Sequence, residues 1–164
     1  MGVVGCGLRG AGVAEVGARA GLDVVVIDSS PAAVEAGHTR LEQSLSRAAE
    51  KGKIVDAAEV LARISVSTEL EKLADRELVV EGIVEDEASK VELFAKLDTI
   101  VTSTHALLAS NTSSIPIHEA RRRHLPIHPC AGIHFFNPVP VLSLVELCPA
   151  CSPHPRSPQP PVPS

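Results

Sequence analysis

Residues 2 to 10, GVVGCGLRG, decide the fold of this 164-residue chain. A short apolar run is followed by G-x-G-x-x-G, with glycines at Gly5, Gly7 and Gly10. In such a strand-to-helix turn the first glycine permits the tight turn and the second lets the backbone approach a pyrophosphate. The third lets helix and strand pack closely. The motif alone is weak, but here it follows a predicted strand and opens a predicted helix, which predicts a dinucleotide-binding βαβ unit.

An acidic residue at the end of the second predicted strand supports this interpretation. Asp28 ends the run DVVVID, residues 23 to 28, and follows Gly10 by eighteen positions. Its carboxylate is expected to accept hydrogen bonds from the ribose hydroxyls and to repel a 2′-phosphate. No arginine follows within residues 29–33, so the sequence predicts NAD rather than NADP. Arg9 stands in the first helical turn, where it either contacts a cofactor phosphate or crowds the site.

Strands and helices alternate through the rest of the chain. Apolar residues at helical spacing predict helices over residues 7–21, 31–52, 57–63 and 88–97. Short β-branched or apolar runs predict further strands within residues 64–69, 78–84, 106–111, 132–136 and 142–147. This alternation is typical of α/β proteins. We therefore predict a Rossmann-type, doubly wound, mainly parallel sheet.

Composition excludes several classes of function. The net charge of −5 argues against a nucleic-acid-binding protein, which would be basic. The sequence has no apolar run long enough to span a membrane and no signal-peptide pattern at its start. Its four cysteines are scattered, which favours free thiols in a reducing, cytoplasmic environment.

The composition changes sharply near residue 148. Seven of the seventeen residues from Cys148 to Ser164 are proline, against six in the first 147. Because proline lacks an N–H and fixes φ, we expect an NAD-binding domain over 1–147 and a disordered tail over 148–164. The tail contains Cys148-Pro-Ala-Cys151, but this pair lacks the second ligand pair of a zinc site. No metal site is therefore predicted.

Polar residues follow several predicted strands, at the sheet edge where a Rossmann domain carries out its chemistry. Glu81 and Glu85 lie at and after the end of one strand, residues 111–114 follow the next, and His134 and Asn137 follow a third. Glu146 lies twelve residues beyond His134 in an otherwise apolar strand. An imidazole near neutrality can take the hydroxyl proton of a secondary alcohol, and a carboxylate on its other nitrogen can fix the tautomer. A structural histidine beside an edge-strand glutamate fits the same spacing, so both interpretations stay open.

Four segments resemble the NAD-binding domain of the 3-hydroxyacyl-CoA dehydrogenases, with 3-hydroxybutyryl-CoA dehydrogenases the most similar members. They are VGCGLRGAGVAE, VVEGIVEDEASKVELF, LLASNTSS and GIHFFNPVPVLSLVEL, and the resemblance covers residues 2 to 147. It implies NAD-dependent oxidation of a 3-hydroxyacyl-CoA, or the reverse, in fatty-acid metabolism. The implied catalytic residues are His134, Glu146, Ser113 and Asn137. The implied ligand contacts are Glu85 and Lys90 for the cofactor and Ser44, Lys51 and Ser113 for the acyl-CoA.

The sequence also departs from this family. Arg9 replaces a usual Met, and Ser143 stands where Lys is common. The family continues into a helical domain that forms the homodimer interface and closes the acyl pocket, and the sequence given lacks it. The change at residue 148 resembles a shifted reading frame or a truncated gene, so we expect weakened NAD binding and very low turnover. A non-catalytic NAD-binding module and another Rossmann-type hydroxyacid dehydrogenase are the alternatives.

Overall fold

The computed structural model describes residues 1–112, 128–142 and 144–149, and in them strands and helices alternate as predicted. The strands are β1 Gly2–Val4, β2 Val24–Ile27, β3 Ile64–Ser67, β4 Leu78–Glu81, β5 Leu107–Ser110, β6 Cys130–Phe135 and β7 Val145–Pro149. The helices are α1 Leu8–Arg19, α2 Pro31–Glu50, α3 Ala57–Leu61 and α4 Glu87–Ile100, with a 3₁₀ turn over Leu70–Leu73.

The strands form one sheet in the order β3-β2-β1-β4-β5-β6-β7. All pairs from β3 to β6 are parallel, and β7 is antiparallel to β6. The chain moves outward from β1 to β3 and then returns to place β4 on the other side of β1. This reversal creates the crevice in which such sheets bind nucleotides. The predicted Rossmann-type, mainly parallel architecture is confirmed.

Each inner strand supplies side chains to two separate cores, because successive side chains point to opposite faces. Val3 belongs to one core and Val4 to the other. Helices α1 and α2 cover the first core, and α4 covers the second with Phe94 and Leu97. Coverage on both faces explains why the strand sequences are continuously apolar rather than alternating.

Polar caps fix the helix starts. Ser30 caps α2 by accepting a hydrogen bond from the Ala33 N–H, and Asp86 caps α4 by accepting one from the Ser89 N–H. Helix α1 ends at Arg19 rather than at residue 21, and Ala20, which follows it, is exposed.

Several predicted strand boundaries differ from those of the structure, and two of the differences have a structural explanation. β4 ends at Glu81 rather than at residue 84, because the Glu81 side chain accepts the Ile83 N–H and turns the chain out of the sheet. β7 continues through Cys148 to Pro149, past the boundary expected after Leu147. β7 is an edge strand, which needs backbone hydrogen-bond partners on one side only, so it tolerates a proline. Residues 150–164, with Cys151 and most of the predicted tail, lie outside the described residues.

The outermost strand, β7, and the segment before it carry exposed apolar side chains. Leu144, Val145 and Leu147 are all at least 40% exposed, and Val141 and Leu142 precede them. The described part of the chain contains no helix with the length and apolar character needed to cross a membrane.

Candidate active site and cofactor cleft

The glycine loop has the geometry that its three glycines predict. Gly5 has φ +107°, which residues with a side chain rarely adopt. A Cβ built on Gly10 would lie 1.9 Å from the carbonyl oxygen of Gly5, so α1 can approach β1 only with glycine there. A Cβ on Gly7 would meet no heavy atom of the described residues within 4 Å. Gly7 therefore borders open space, which is where a ligand would approach the backbone.

The carboxylate of Asp28 is held over this loop. Its Oδ2 accepts the Cys6 N–H at 2.6 Å, and its Oδ1 accepts the Ser29 N–H at 2.7 Å. Oδ1 also accepts the Ser29 hydroxyl at 3.3 Å, so Oδ2 is the oxygen that can still accept a hydrogen bond from a ribose hydroxyl. The loop and the end of β2 thus orient each other before any ligand binds.

A cavity of about 850 Å³ opens above the glycine loop. That volume lies within the range of nucleotide and cofactor sites. Its lining joins the loop, Asp28, the segment after β4 and Asn137. Arg9 also lines it, is exposed, and makes no ion pair with a described residue. The glycine loop, the carboxylate and the open cavity together fit a dinucleotide.

His134 and Glu146 are paired across the last two strands. They are direct partners in the β6–β7 register, and His134 Nδ1 lies 3.6 Å from Glu146 Oε2. The His134 side chain is 23% exposed and that of Glu146 58%. The His134 ring meets Phe136 edge-on, with centroids 4.7 Å apart. The structure therefore places a partly exposed imidazole between a carboxylate and an aromatic ring, at the sheet edge that also carries the cofactor cleft.

The segment after β6 is fixed by contacts that the sequence did not reveal. Buried Glu15 on α1 pairs with Arg19 at 3.4 Å, and Arg19 donates to the carbonyl oxygen of Pro140. Val139 packs against the same helix, where a Cβ on Gly12 would lie 2.7 Å from it. Helix α1 therefore fixes Val139 and Pro140, the residues shortly after Asn137, and so restricts the position of Asn137.

Asn111, directly after β5, belongs to the polar cluster predicted at this end of the sheet, but the sequence indicated no role of its own for it. Its Oδ1 accepts the Phe135 N–H at 3.1 Å, and its Nδ2 is buried without a partner among the described residues. Ser113, implied as a substrate contact, lies outside the described residues, as does Ser143. Thr112, the last described residue before that gap, donates its hydroxyl to Glu85.

The predicted cofactor residue Lys90 is fully buried. Its ammonium lies 2.6 Å from Glu81 and 3.4 Å from Glu85, while Glu85 itself is 39% exposed. Ser110 completes the cluster by donating to Glu81. Glu85 and Lys90 are thus brought together, but only Glu85 faces solvent.

Ser44 and Lys51, implied as CoA contacts, do not line the cofactor cavity. Ser44 is partly buried on α2, and Lys51 is the exposed C-cap of that helix. A second cavity of about 600 Å³ lies nearby, and Lys53, Arg19 and Val139 are among its lining residues. The described residues contain no cluster of three or more metal-ligating side chains.

The thiol of Cys6 lies inside the glycine loop. Burial raises its pKa to about 11, and the negative charge of Asp28 acts in the same direction, opposed by Arg40. Arg40 also donates to the Cys6 carbonyl oxygen at 2.6 Å. The thiol is therefore neutral at physiological pH and acts as a small apolar side chain.

Comparison with known proteins places these features in one family. Residues 1–156 match the family model described as 3-hydroxyacyl-CoA dehydrogenase, NAD binding domain. A 3-hydroxybutyryl-CoA dehydrogenase of Mycobacterium tuberculosis is 49% identical over 149 residues, which cover 90% of this chain and 52% of the relative. A probable 3-hydroxybutyryl-CoA dehydrogenase of Bacillus subtilis is 44% identical over 147 residues, covering 88% of this chain and 51% of the relative.

Solved structures agree with the sequence relatives. The crystal structure of FadB2 from Mycobacterium tuberculosis superposes with a TM-score of 0.85 at 49% identity, covering 89% of this chain and 52% of that one. An (S)-3-hydroxybutyryl-CoA dehydrogenase from Ralstonia eutropha gives a TM-score of 0.80 at 40% identity, with the same coverage. The chain spans about half the length of the curated relatives it matches. It belongs to the NAD-binding domain family of the 3-hydroxyacyl-CoA dehydrogenases.

Proposed function

We propose that this chain binds NAD and supplies the acid–base half of a 3-hydroxyacyl-CoA dehydrogenase reaction. The observation that carries the proposal is the His134–Glu146 pair, 3.6 Å apart, at the same sheet edge as the glycine-loop cavity. The reaction converts the 3-hydroxyl of an acyl-CoA to a ketone, or reduces the ketone. When bound, NAD accepts the hydride that leaves the carbon.

His134 takes the proton of the substrate hydroxyl in the oxidative direction and returns one in the reductive direction. A positioned base of this kind contributes typically about 10²–10⁴-fold to the rate. Glu146 stabilises the imidazolium that forms, as a carboxylate beside the other ring nitrogen does. Because Glu146 is more than half exposed, solvent screens the pair and its contribution is smaller than that of a buried carboxylate.

The cofactor is held by residues that follow three neighbouring strands of the sheet, β2, β1 and β4. Gly5, Gly7 and the first turn of α1 receive the pyrophosphate, since a helix N-terminus offers free N–H groups. Asp28 receives the ribose hydroxyls, and Glu85 contacts the cofactor from the segment after β4. Asn137 lines the same cavity from the side of His134. Ser113 for the substrate oxygen, and Ser44 with Lys51 for the CoA moiety, are carried over from the family resemblance. The free thiols of Cys6, Cys130 and Cys148 suit a reducing cytoplasm.

Two measurements test this function on the chain itself. NADH titration, followed by fluorescence, should give saturable binding that Asp28→Ala weakens and that NADPH does not match. Acetoacetyl-CoA reduction should be slow but measurable, and His134→Ala should lower it at least about 100-fold while leaving NADH affinity unchanged. Failure of the wild-type chain to bind NADH would remove the cofactor assignment. A His134→Ala variant with undiminished turnover would remove the assigned base.

A non-catalytic NAD-binding module is the second candidate, favoured by the exposure of 58% of the Glu146 side chain beside His134. It predicts the same NADH binding with no reduction of acetoacetyl-CoA at any enzyme concentration. A third possibility is a different hydroxyacid dehydrogenase. Assays with a panel of other hydroxy acids as substrates separate it from these two candidates.

A further inference from the structure

Both backbone polar groups of Cys6, in the middle of the glycine loop, are held by charged side chains. The Cys6 N–H donates to Asp28 Oδ2 at 2.6 Å, and the guanidinium of Arg40 donates to the Cys6 carbonyl oxygen at 2.6 Å. None of the described backbone N–H groups donates to that oxygen. A hydrogen bond from a charged donor is shorter and stronger than one from a neutral donor. Arg40, on helix α2, therefore fixes a carbonyl group of the loop.

Helix α2 can approach the loop this closely because it carries a glycine at position 37. A Cβ built on Gly37 would lie 2.4 Å from the Cβ of Cys6 and 2.9 Å from its Sγ. Arg40 follows Gly37 by three residues, so the two lie on the same side of the helix. Residues 37–40, G-x-x-R, are thus neighbours of the glycine loop in space although they lie outside its motif.

The contact with Arg40 also orients the N–H group of Gly7. The Cys6 carbonyl and the Gly7 N–H belong to one trans peptide, in which they point in opposite directions. Because the carbonyl is held toward α2, the Gly7 N–H points away from α2. Gly7 lines the cofactor cavity, whereas no residue of α2 lines it. The N–H group is therefore directed to the side of the loop from which a ligand approaches.

We propose that Arg40 is a positioning residue for the dinucleotide, which aims the Gly7 N–H at the pyrophosphate by holding the Cys6 carbonyl. Gly37 permits the close approach that this requires. The proposal rests on the proposed NAD binding of this cavity. It gives Arg40 no direct contact with the cofactor, in keeping with its absence from the cavity lining.

NADH titration of variants on α2 tests the role. Arg40→Met should weaken binding on the order of tenfold, because the loop loses a hydrogen bond from a charged donor. Arg40→Lys keeps a charged donor and should stay within about threefold of wild type. Arg47→Met removes an exposed arginine from the last turn of the same helix and is the matched control, with unchanged affinity expected. Unchanged affinity in Arg40→Met would overturn the proposal.

A comparison of two ligands separates aim at the pyrophosphate from general damage to the cleft. ADP-ribose and adenosine share the adenine and one ribose, but only ADP-ribose contains the pyrophosphate. Arg40→Met should weaken ADP-ribose on the order of tenfold and adenosine by less than about twofold, because adenosine makes no contact that depends on the Gly7 N–H. NMR titration measures both affinities. Equal losses for the two ligands would overturn the proposal.

Hydrogen exchange tests the hold on the loop without any ligand. Arg40→Met should speed exchange of the Cys6 amide at least about tenfold, while the Val80 amide in β4 keeps its protection, since only a local contact is lost. Arg47→Met should change neither amide. Unchanged exchange at Cys6 would show that Arg40 does not hold the loop.

Arg40→Gln replaces Arg40→Met in these experiments if the methionine variant does not fold. Its side chain is shorter and uncharged, so the same losses are expected. If the wild-type protein does not bind NADH, the proposed function fails, whereas the exchange measurement still decides whether Arg40 holds the glycine loop.

Discussion

The side-chain oxygen of Asn111 accepts the backbone N–H of Phe135 at 3.1 Å, one residue beyond His134. The β5–β6 ladder ends at the Ser110–Gly132 pair, whereas β6 continues to Phe135. Asn111 therefore supplies with its side chain the partner that β5 no longer offers with its backbone. Without it, the end of β6 that carries His134 would be held by β7 alone.

Replacing Asn111 with leucine should destabilise the protein by about 1–3 kcal/mol, because the Phe135 N–H loses its partner. Urea unfolding monitored by circular dichroism measures the change. Gln43→Leu, which removes an exposed amide from α2, is the control and should stay within about 0.5 kcal/mol of wild type. Equal stability of Asn111→Leu and wild type would show that the hydrogen bond contributes nothing.

Replacing Glu146 with glutamine should lower turnover about 10–100-fold and leave stability nearly unchanged. The carboxylate is 58% exposed, so its pairing with His134 adds little to folding, yet it orients the imidazole during proton transfer. Acetoacetyl-CoA reduction and thermal unfolding are the two measurements.

The chain contains a matched control for this pair. His38 and Glu42 on α2 lie 3.5 Å apart with similar partial exposure, but away from the cofactor cavity. Glu42→Gln should therefore leave turnover unchanged. Equal effects of the two substitutions would reduce the His134–Glu146 contact to an incidental surface pair.

The glycine loop and the strands could be predicted because their signals are local. Gly5 and Gly10 are five residues apart, and the whole motif lies within one strand-to-helix turn. The continuous apolar runs reflect burial on both faces, which the sequence records directly. For His134 and Glu146 the spacing left both a catalytic pair and a structural histidine open, and the family resemblance decided between them.

The buried polar contacts could not be predicted, because their partners are set by the tertiary fold. Glu15 reaches Pro140 through Arg19 across more than a hundred residues, and Asn111 meets Phe135 across twenty-four. Charged residues are also expected at the surface. The spacing of Lys90 did indicate that it is buried, because the apolar residues Phe94 and Leu97 follow it at i+4 and i+7. It therefore lies on the buried stripe of α4.

Alanine at Gly10 and at Gly7 should separate folding from binding. At Gly10 the new Cβ would lie 1.9 Å from the Gly5 carbonyl oxygen, so helix and strand must move apart, at a cost of about 3 kcal/mol or more. At Gly7 the Cβ meets only open space among the described residues, so stability should hold while NADH affinity falls. Thermal unfolding and NADH titration of both variants measure this. A Gly10→Ala variant as stable as wild type would contradict the close approach.

Cys6 should make the protein less stable at high pH. Burial and the Asp28 charge raise the pKa of its thiol from 9.0 to about 11. The folded state therefore keeps its proton where the unfolded state has lost it. The stability that this provides is complete below pH 9 and is lost as the pH rises from 9 through 11.

Urea unfolding at pH 8 and pH 10.5 tests this, with Cys6→Ala as the reference for all other titrating groups. The wild type should lose more stability than Cys6→Ala between the two pH values. The same burial predicts that iodoacetamide at pH 8 modifies exposed Cys148 and spares Cys6 until the protein unfolds. Peptide mass spectrometry measures both sites. Rapid alkylation of Cys6 in the folded protein would mean that the glycine loop opens and does not hold the preformed shape on which the cofactor site depends.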